Sequence, residues 1–148
     1  MRFNHSSKFV SELSVNDIKS VQYKTLCKKM FTTLRASGGV GLVGPQIGIL
    51  RRIVAVKRFD KDGQPVCIYP SIKILSITGE NIPSSEGCLS VPQDEDGDVL
   101  RSQNIDISYT SPETLKDTIE TIKGFTAIIF QHECDHLNGV IYIDKNDY

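Results

Sequence analysis

The residues best suited to chemistry lie in one short run, His132-Glu133-Cys134-Asp135-His136. On a helix, side chains four residues apart share a face one turn apart, so the two imidazoles can converge on one point. Glu133, adjacent to the first imidazole, can reach the same point. This H-E-x-x-H pattern suits a divalent metal ion held by His132 and His136, with Glu133 as general base toward water. The metal supplies what a carboxylate alone cannot: it brings the pKa of a bound water toward neutrality. Two ordinary histidines, buried or exposed, would read the same way. The chain has only three histidines, however, and two of them fall on this motif.

Two histidines do not complete a catalytic metal site, which needs a third protein ligand and one open position. No histidine follows His136, and the acids that do are Asp144 and Asp147. Cys88, within Glu86-Gly87-Cys88-Leu89-Ser90, is the better candidate. A thiolate is a strong ligand for late first-row metals, although an ordinary thiol would look the same in sequence. A third feature is Gly41-Leu42-Val43-Gly44-Pro45-Gln46-Ile47-Gly48. Its Gly/Pro content reads as a turn between helix and strand. It is not a phosphate-cradling loop, because no Lys-Ser/Thr follows the glycines. It does contain Gln46, an amide able to donate to a developing oxyanion.

The elements that position these residues are partly legible. A helix is expected over residues 16–36, capped by Asn16 or Asp17, with Ile18, Val21, Cys27, Met30, Phe31 and Leu34 at roughly helical spacing. Gly38-Gly39 stops it. Residues 51–57 are β-branched and read as a strand, Asp62-Gly63 as a turn, and Val66 to Ser76 as extended chain broken or bent at Pro70. Ile105 to Tyr109 and Thr118 to Ile122 alternate as strands, joined through Ser111-Pro112-Glu113-Thr114. Residues 125–137 form a second helix ended by Gly139, and Val140 to Ile143 a last strand. Strands without regular strand–helix alternation indicate an α+β fold.

At 148 residues, with 39% hydrophobic and 24% charged residues, the chain reads as one globular domain spanning 1–148. A formal net charge of -1 gives no overall electrostatic footprint for nucleic acid or an anionic membrane. The two local clusters, Asp94-Glu95-Asp96 with Asp98 and Lys24, Lys28, Lys29 with Arg35, read as solvated faces. The start, MRFNHSSKFV, lacks the apolar core of a signal peptide, and no run of 18 apolar residues exists. A cytoplasmic location is therefore expected, with Cys27, Cys67, Cys88 and Cys134 as thiols.

Three segments together resemble the signature motifs of the peptide deformylase family: residues 39–46, Glu86-Gly87-Cys88-Leu89-Ser90, and Gln131-His132-Glu133-Cys134-Asp135-His136-Leu137. They occur in that family's order, and the resemblance runs from about residue 16 to residue 144. It implies an enzyme that removes the formyl group from N-formylmethionine of nascent polypeptides and releases formate. It implies Cys88, His132 and His136 as metal ligands, Glu133 as general base and acid, and Gln46 with the Leu89 N–H as oxyanion donors. Val40, Gly41, Ile128 and Ile129 match positions near the methionine pocket or peptide cleft. The implied cofactor is one divalent transition metal, natively Fe(II), with Zn(II), Ni(II) or Co(II) able to occupy the site. The implied fold is α+β, with antiparallel strands around a central helix carrying H-E-x-x-H. The implied partners are N-formylmethionyl nascent peptides and, transiently, the ribosome, without direct nucleic-acid or membrane binding. The chain ends soon after Ile143, so an extended ribosome-docking tail is not expected.

Three departures stand out. Val43-Gly44 replaces the usual Ala-Ala, and Tyr69-Pro70 the usual Asn-Pro. Residues 91–98 are acidic where the family usually carries a basic residue, which would favour basic or uncharged residues after methionine. The competing readings are a related metallohydrolase acting on another acylated amine or a peptide, and a catalytically idle binding protein of the same fold.

Overall fold

A computed structural model describes residues 10–85 and 98–139. The helix expected over 16–36 is two helices, α1 (Val15–Lys19) and α2 (Val21–Ser37). Ser14 caps α1: its hydroxyl accepts from Asp17 N–H at 3.1 Å, and Asp17 accepts from Ser14 N–H at 2.8 Å, a reciprocal capping box. Ser20 ends α1 and caps α2, accepting from Tyr23 N–H at 3.2 Å. Neither Asn16 nor Asp17 is therefore the cap. The serine hydroxyls offer the backbone a partner that competes with a continuous helix. Apolar periodicity does not register the one-residue break because Ile18 and the α2 residues Tyr23, Met30 and Leu34 still bury on one side. Gly38, at φ 69°, ends α2 in the left-handed region that glycine reaches without strain.

β1 (Gly41–Val43), β2 (Ile53–Lys57) and β3 (Val66–Pro70) form an antiparallel sheet in that order, with a 3-10 turn, Gly44–Ile47, after β1. Both faces of this sheet are covered. Leu42, Ile53 and Ala55 pack with Met30 and Leu34 of α2, while Val43, Val54 and Val56 face the other way into a second apolar cluster. Burial on both faces explains why β2 reads as an unbroken apolar run. The extended stretch expected over 66–76 is two strands. Pro70 closes β3, and the chain turns at Ser71, at φ 59°, to leave the first sheet for the second. Ser71 is held there by its hydroxyl, which accepts from Leu13 N–H at 2.8 Å and donates to Leu13 C=O at 3.0 Å.

β4 (Lys73–Ser85), β5 (Asp98–Thr110) and β6 (Asp117–Lys123) form the second antiparallel sheet. The expected strands at 105–109 and 118–122 are its β5 and β6, paired through Ile105 opposite Ile122 and Ser108 opposite Ile119. Their connection contains Ser111 to Thr114, as expected, with the Ser111 hydroxyl accepting from Glu113 N–H and Thr114 N–H.

The last described helix, α3 (Gly124–Leu137), lies between the two sheets and touches β1 and β2 of one and β4, β5 and β6 of the other. From Thr126 to Leu137 every residue except Asp135 is buried. A helix buried on nearly all sides is a core element, so its polar residues occupy buried positions for a reason. Phe130 is fully buried and stacks edge-on against Tyr69 at 5.0 Å, which does the same to Tyr109 at 4.8 Å. Such pairs each add about 0.5–1.5 kcal/mol beyond area burial. Beside them Arg58, 2% exposed, binds Asp60, Glu120 and the Tyr69 hydroxyl, tying the first sheet to β6. Burial opposes its charge, but its bonds to Asp60, Glu120 and Tyr69 outweigh that and raise its pKa.

The architecture is α+β, with antiparallel strands around a central helix carrying H-E-x-x-H. The strand expected at Val140 to Ile143 lies outside the described residues. Among the described residues no helix is long and apolar enough to cross a membrane.

Candidate active site

α3 brings His132 and His136 onto one face, each 6% exposed, with their Nε2 atoms 3.2 Å apart. Metal–imidazole bonds are roughly 2.0–2.1 Å long, so two nitrogens at this separation would both reach one shared ion. A buried ring pair turned nitrogen to nitrogen is a poor apolar packing unit. It is a good chelate, and the donor set fits a borderline metal such as zinc or ferrous iron.

Glu133, 3% exposed, follows the first histidine and faces β1. A methyl group placed on Gly41 would lie 2.5 Å from Glu133 Oε2, 2.7 Å from its Cγ and 2.8 Å from its Cδ. The missing side chain at Gly41 is therefore the space that the carboxylate occupies. Two residues on, Val43 N–H donates to Gln46 Oε1 at 2.9 Å. That bond sets which way the amide points. With its oxygen engaged on the β1 backbone, Gln46 presents its Nε2 amino group, which is buried and meets no acceptor among the described residues. A buried donor without an acceptor costs on the order of 1–3 kcal/mol. An oxyanion formed beside it would take up that donor. The three-residue strand β1 thus seats a carboxylate with one residue and orients an amide with another.

Gln131, next to His132, pins α3 to the second sheet. Its Nε2 donates to Ser102 C=O at 2.5 Å and to Ala127 C=O at 3.0 Å, and its Oε1 accepts from Ser102 N–H at 3.0 Å. At the other end, Arg52 donates to Ile72 C=O and to the side chain of Asn138, the residue that caps α3. Sequence reasoning assigned neither Gln131 nor Arg52 a role. The only signal for Gln131 was a polar amide within an otherwise apolar helix, and Arg52 left none. Cys134 faces the apolar cluster, 2% exposed, where burial pushes its thiol pKa up to about 12. It stays a neutral thiol and does not join the histidines.

Of the other residues expected at the site, Val40 is partly buried and packs against the cluster that holds Phe130. Ile128 is buried one turn before His132, and Ile129 packs within that cluster. Cys88 and Leu89, with Asp94, Glu95, Asp96 and the side chain of Asp98, lie outside what the structure describes. Among the described residues no three metal-binding side chains cluster.

The sequence profile of the family described as polypeptide deformylase matches residues 6–147. A peptide deformylase from Leptospira biflexa is 38% identical over 143 residues, covering 90% of this chain and 78% of its own. Peptide deformylase 1 of Clostridium perfringens is 37% identical over 144 residues, covering 97% of this chain and 95% of its own. A crystal structure of the class I type b peptide deformylase from Acinetobacter baumannii bound to Met-Ala-Ser superposes with a TM-score of 0.80 at 30% identity, covering 92% of this chain and 88% of that one. By sequence profile, by identity to curated relatives and by overall fold, this chain belongs to the polypeptide deformylase family.

Proposed function

We propose that this protein hydrolyses the formyl amide of N-formylmethionine at the start of nascent polypeptides, releasing formate and a free amino terminus. The observation that carries the reading is the buried pair His132 and His136 at 3.2 Å, on the helix whose Glu133 is seated against Gly41. The Met-Ala-Ser bound by the Acinetobacter relative has the chemistry of a deformylated product, which supports this substrate class.

His132 and His136, with Cys88 as third ligand, would hold one divalent metal, Fe(II) in the native enzyme, with Zn(II), Ni(II) or Co(II) as substitutes. When bound, the ion supplies Lewis acidity that polarises the formyl carbonyl and makes water nucleophilic near neutral pH. Glu133 takes the proton from the attacking water and returns it to the departing amine. Gln46 Nε2 and the Leu89 N–H donate to the oxygen that gains charge as the carbon becomes tetrahedral. Val40, Ile128 and Ile129 border the space for the methionine side chain, while Gly41 gives room to Glu133. The acidic residues 94–98 favour basic or uncharged residues after methionine. Residues 1–148 act as one catalytic domain, in the cytoplasm, in transient association with the ribosome.

The test is formate release from formyl-Met-Ala-Ser by protein prepared anaerobically with Fe(II), or with Ni(II). Wild type turns over. Glu133→Ala retains metal and releases no formate, whereas Cys88→Ala loses metal. A fully metallated wild type that releases no formate would overturn the reading.

A further inference from the structure

The near-zero net charge hides a segregation. α2 carries Lys24, Lys28, Lys29 and Arg35 and no carboxylate. All four are exposed, and among the described residues none is in an ion pair. Three cations elsewhere are paired, Arg51 with Asp17, Arg58 with Asp60 and Glu120, and Lys73 with Glu12, so what sets α2 apart is the clustering of its cations on one helix that carries no carboxylate. Lys24, Lys28 and Arg35 stand at i, i+4 and i+11, so they run along one face of the helix over about 16 Å at ~1.5 Å per residue. Phe31 lies at i+7 on the same line, half-buried, with the Arg35 guanidinium 6.0 Å from its ring centroid. These four residues line one groove of about 480 Å³. A neighbouring groove continues from Arg35 to Lys57.

The geometry points to an RNA-docking face on α2, in which Lys24, Lys28 and Arg35 bind successive backbone phosphates and Phe31 offers its ring to a base. Charge complementarity selects a polyanion. The aromatic ring within the cationic line favours nucleic acid over an acidic polypeptide, because every base has a face that stacks. An anionic membrane fits less well. Interfacial helices insert an apolar face, and the apolar face of α2 is already spent on the first sheet through Met30 and Leu34. The inference goes beyond the proposed activity and departs from the expectation of no direct nucleic-acid binding, because a net charge of -1 averages over a segregated surface.

The experiment uses the full metallated chain and a fluorescein-labelled single-stranded RNA of roughly 20 nucleotides, followed by anisotropy across a salt series. Wild type binds at low salt, and log affinity falls against log salt with a slope near -2, about -0.7 for each of three phosphates. The triple variant Lys24→Gln, Lys28→Gln, Arg35→Gln keeps good helix formers on exposed positions. It melts as wild type does, releases formate from formyl-Met-Ala-Ser at the wild-type rate, and binds the RNA at least tenfold more weakly. Polyglutamate and phosphatidylserine vesicles are run in parallel and bind at least tenfold more weakly than RNA. The proposal is overturned if wild type does not bind RNA at low salt, if the triple variant binds equally well, or if polyglutamate or vesicles match the RNA. Failure of the deformylase reading would appear separately, as absent formate from wild type.

Discussion

Replacing Gly41 with alanine tests whether this position serves Glu133 or the substrate. Gly41 is a strand residue with no positive φ, so the backbone accepts alanine and only space is at issue. The added methyl would sit 2.5 Å from Glu133 Oε2 and under 3 Å from two further atoms of that side chain. Ordinary contact begins near 3.5 Å, so the carboxylate must retreat by about 1 Å. A misplacement of that size in a reacting group costs roughly 100-fold in rate, or about 2.7 kcal/mol of barrier. Overpacking of a buried site adds about 1–3 kcal/mol of destabilisation. The expected variant is folded, melts a few degrees lower, carries full metal and turns over formyl-Met-Ala-Ser about 100-fold more slowly, with the loss in kcat. Glu133→Asp shortens the side chain by one methylene and vacates the contested space. In that background Gly41→Ala should cost far less than 100-fold, since residues in contact do not behave additively. Wild-type kcat with a raised KM would refute the reasoning and return Gly41 to the methionine pocket. So would full additivity of the two substitutions.

Three further outcomes are expected. Gln46→Glu keeps an acceptor for Val43 N–H but removes the amino donor, so kcat should fall about 10²–10³-fold with little change in melting temperature; unchanged turnover would remove Gln46 from the reaction. Gln131→Leu strands the Ser102 N–H and C=O, each costing about 1–3 kcal/mol when buried without a partner; thermal melting should fall by roughly 5–10 °C, and a wild-type melt would count against the clamp. The Asp17 carboxyl is held at about 2 by the Ser14 N–H, with Arg51 and the Ser14 hydroxyl adding to this. A depressed carboxyl stabilises the fold above its ordinary value of 3.8 and loses that contribution as pH falls toward 2. Unfolding followed across that window should show a flatter acid branch for Asp17→Asn than for wild type.

The helix bearing His132 and His136 was legible because its information is local. His132, Glu133 and His136 are placed relative to one another by helical geometry alone, and an apolar run with one stop signal is enough to indicate the helix. The β2 strand and the end of α2 at Gly38 were legible for the same reason. The break at Ser20 and the turn at Ser71 were not. Each depends on a side-chain hydroxyl replacing a backbone partner, and at Ser71 that partner, Leu13, is remote in sequence.

The four-residue spacing of His132 and His136, the α+β class and the presence of the Gln46 amide are properties of the chain itself. The direction in which that amide points is not, since it depends on a 2.9 Å bond to the β1 backbone. Nor is the seating of Glu133, which needs β1 packed on α3 so that an absent side chain at Gly41 becomes room for a carboxylate. Gln131 likewise acquires its role only when β5 lies beside the helix. Helical spacing follows from bonded geometry over four residues, whereas these contacts exist only once apolar burial has brought distant segments together.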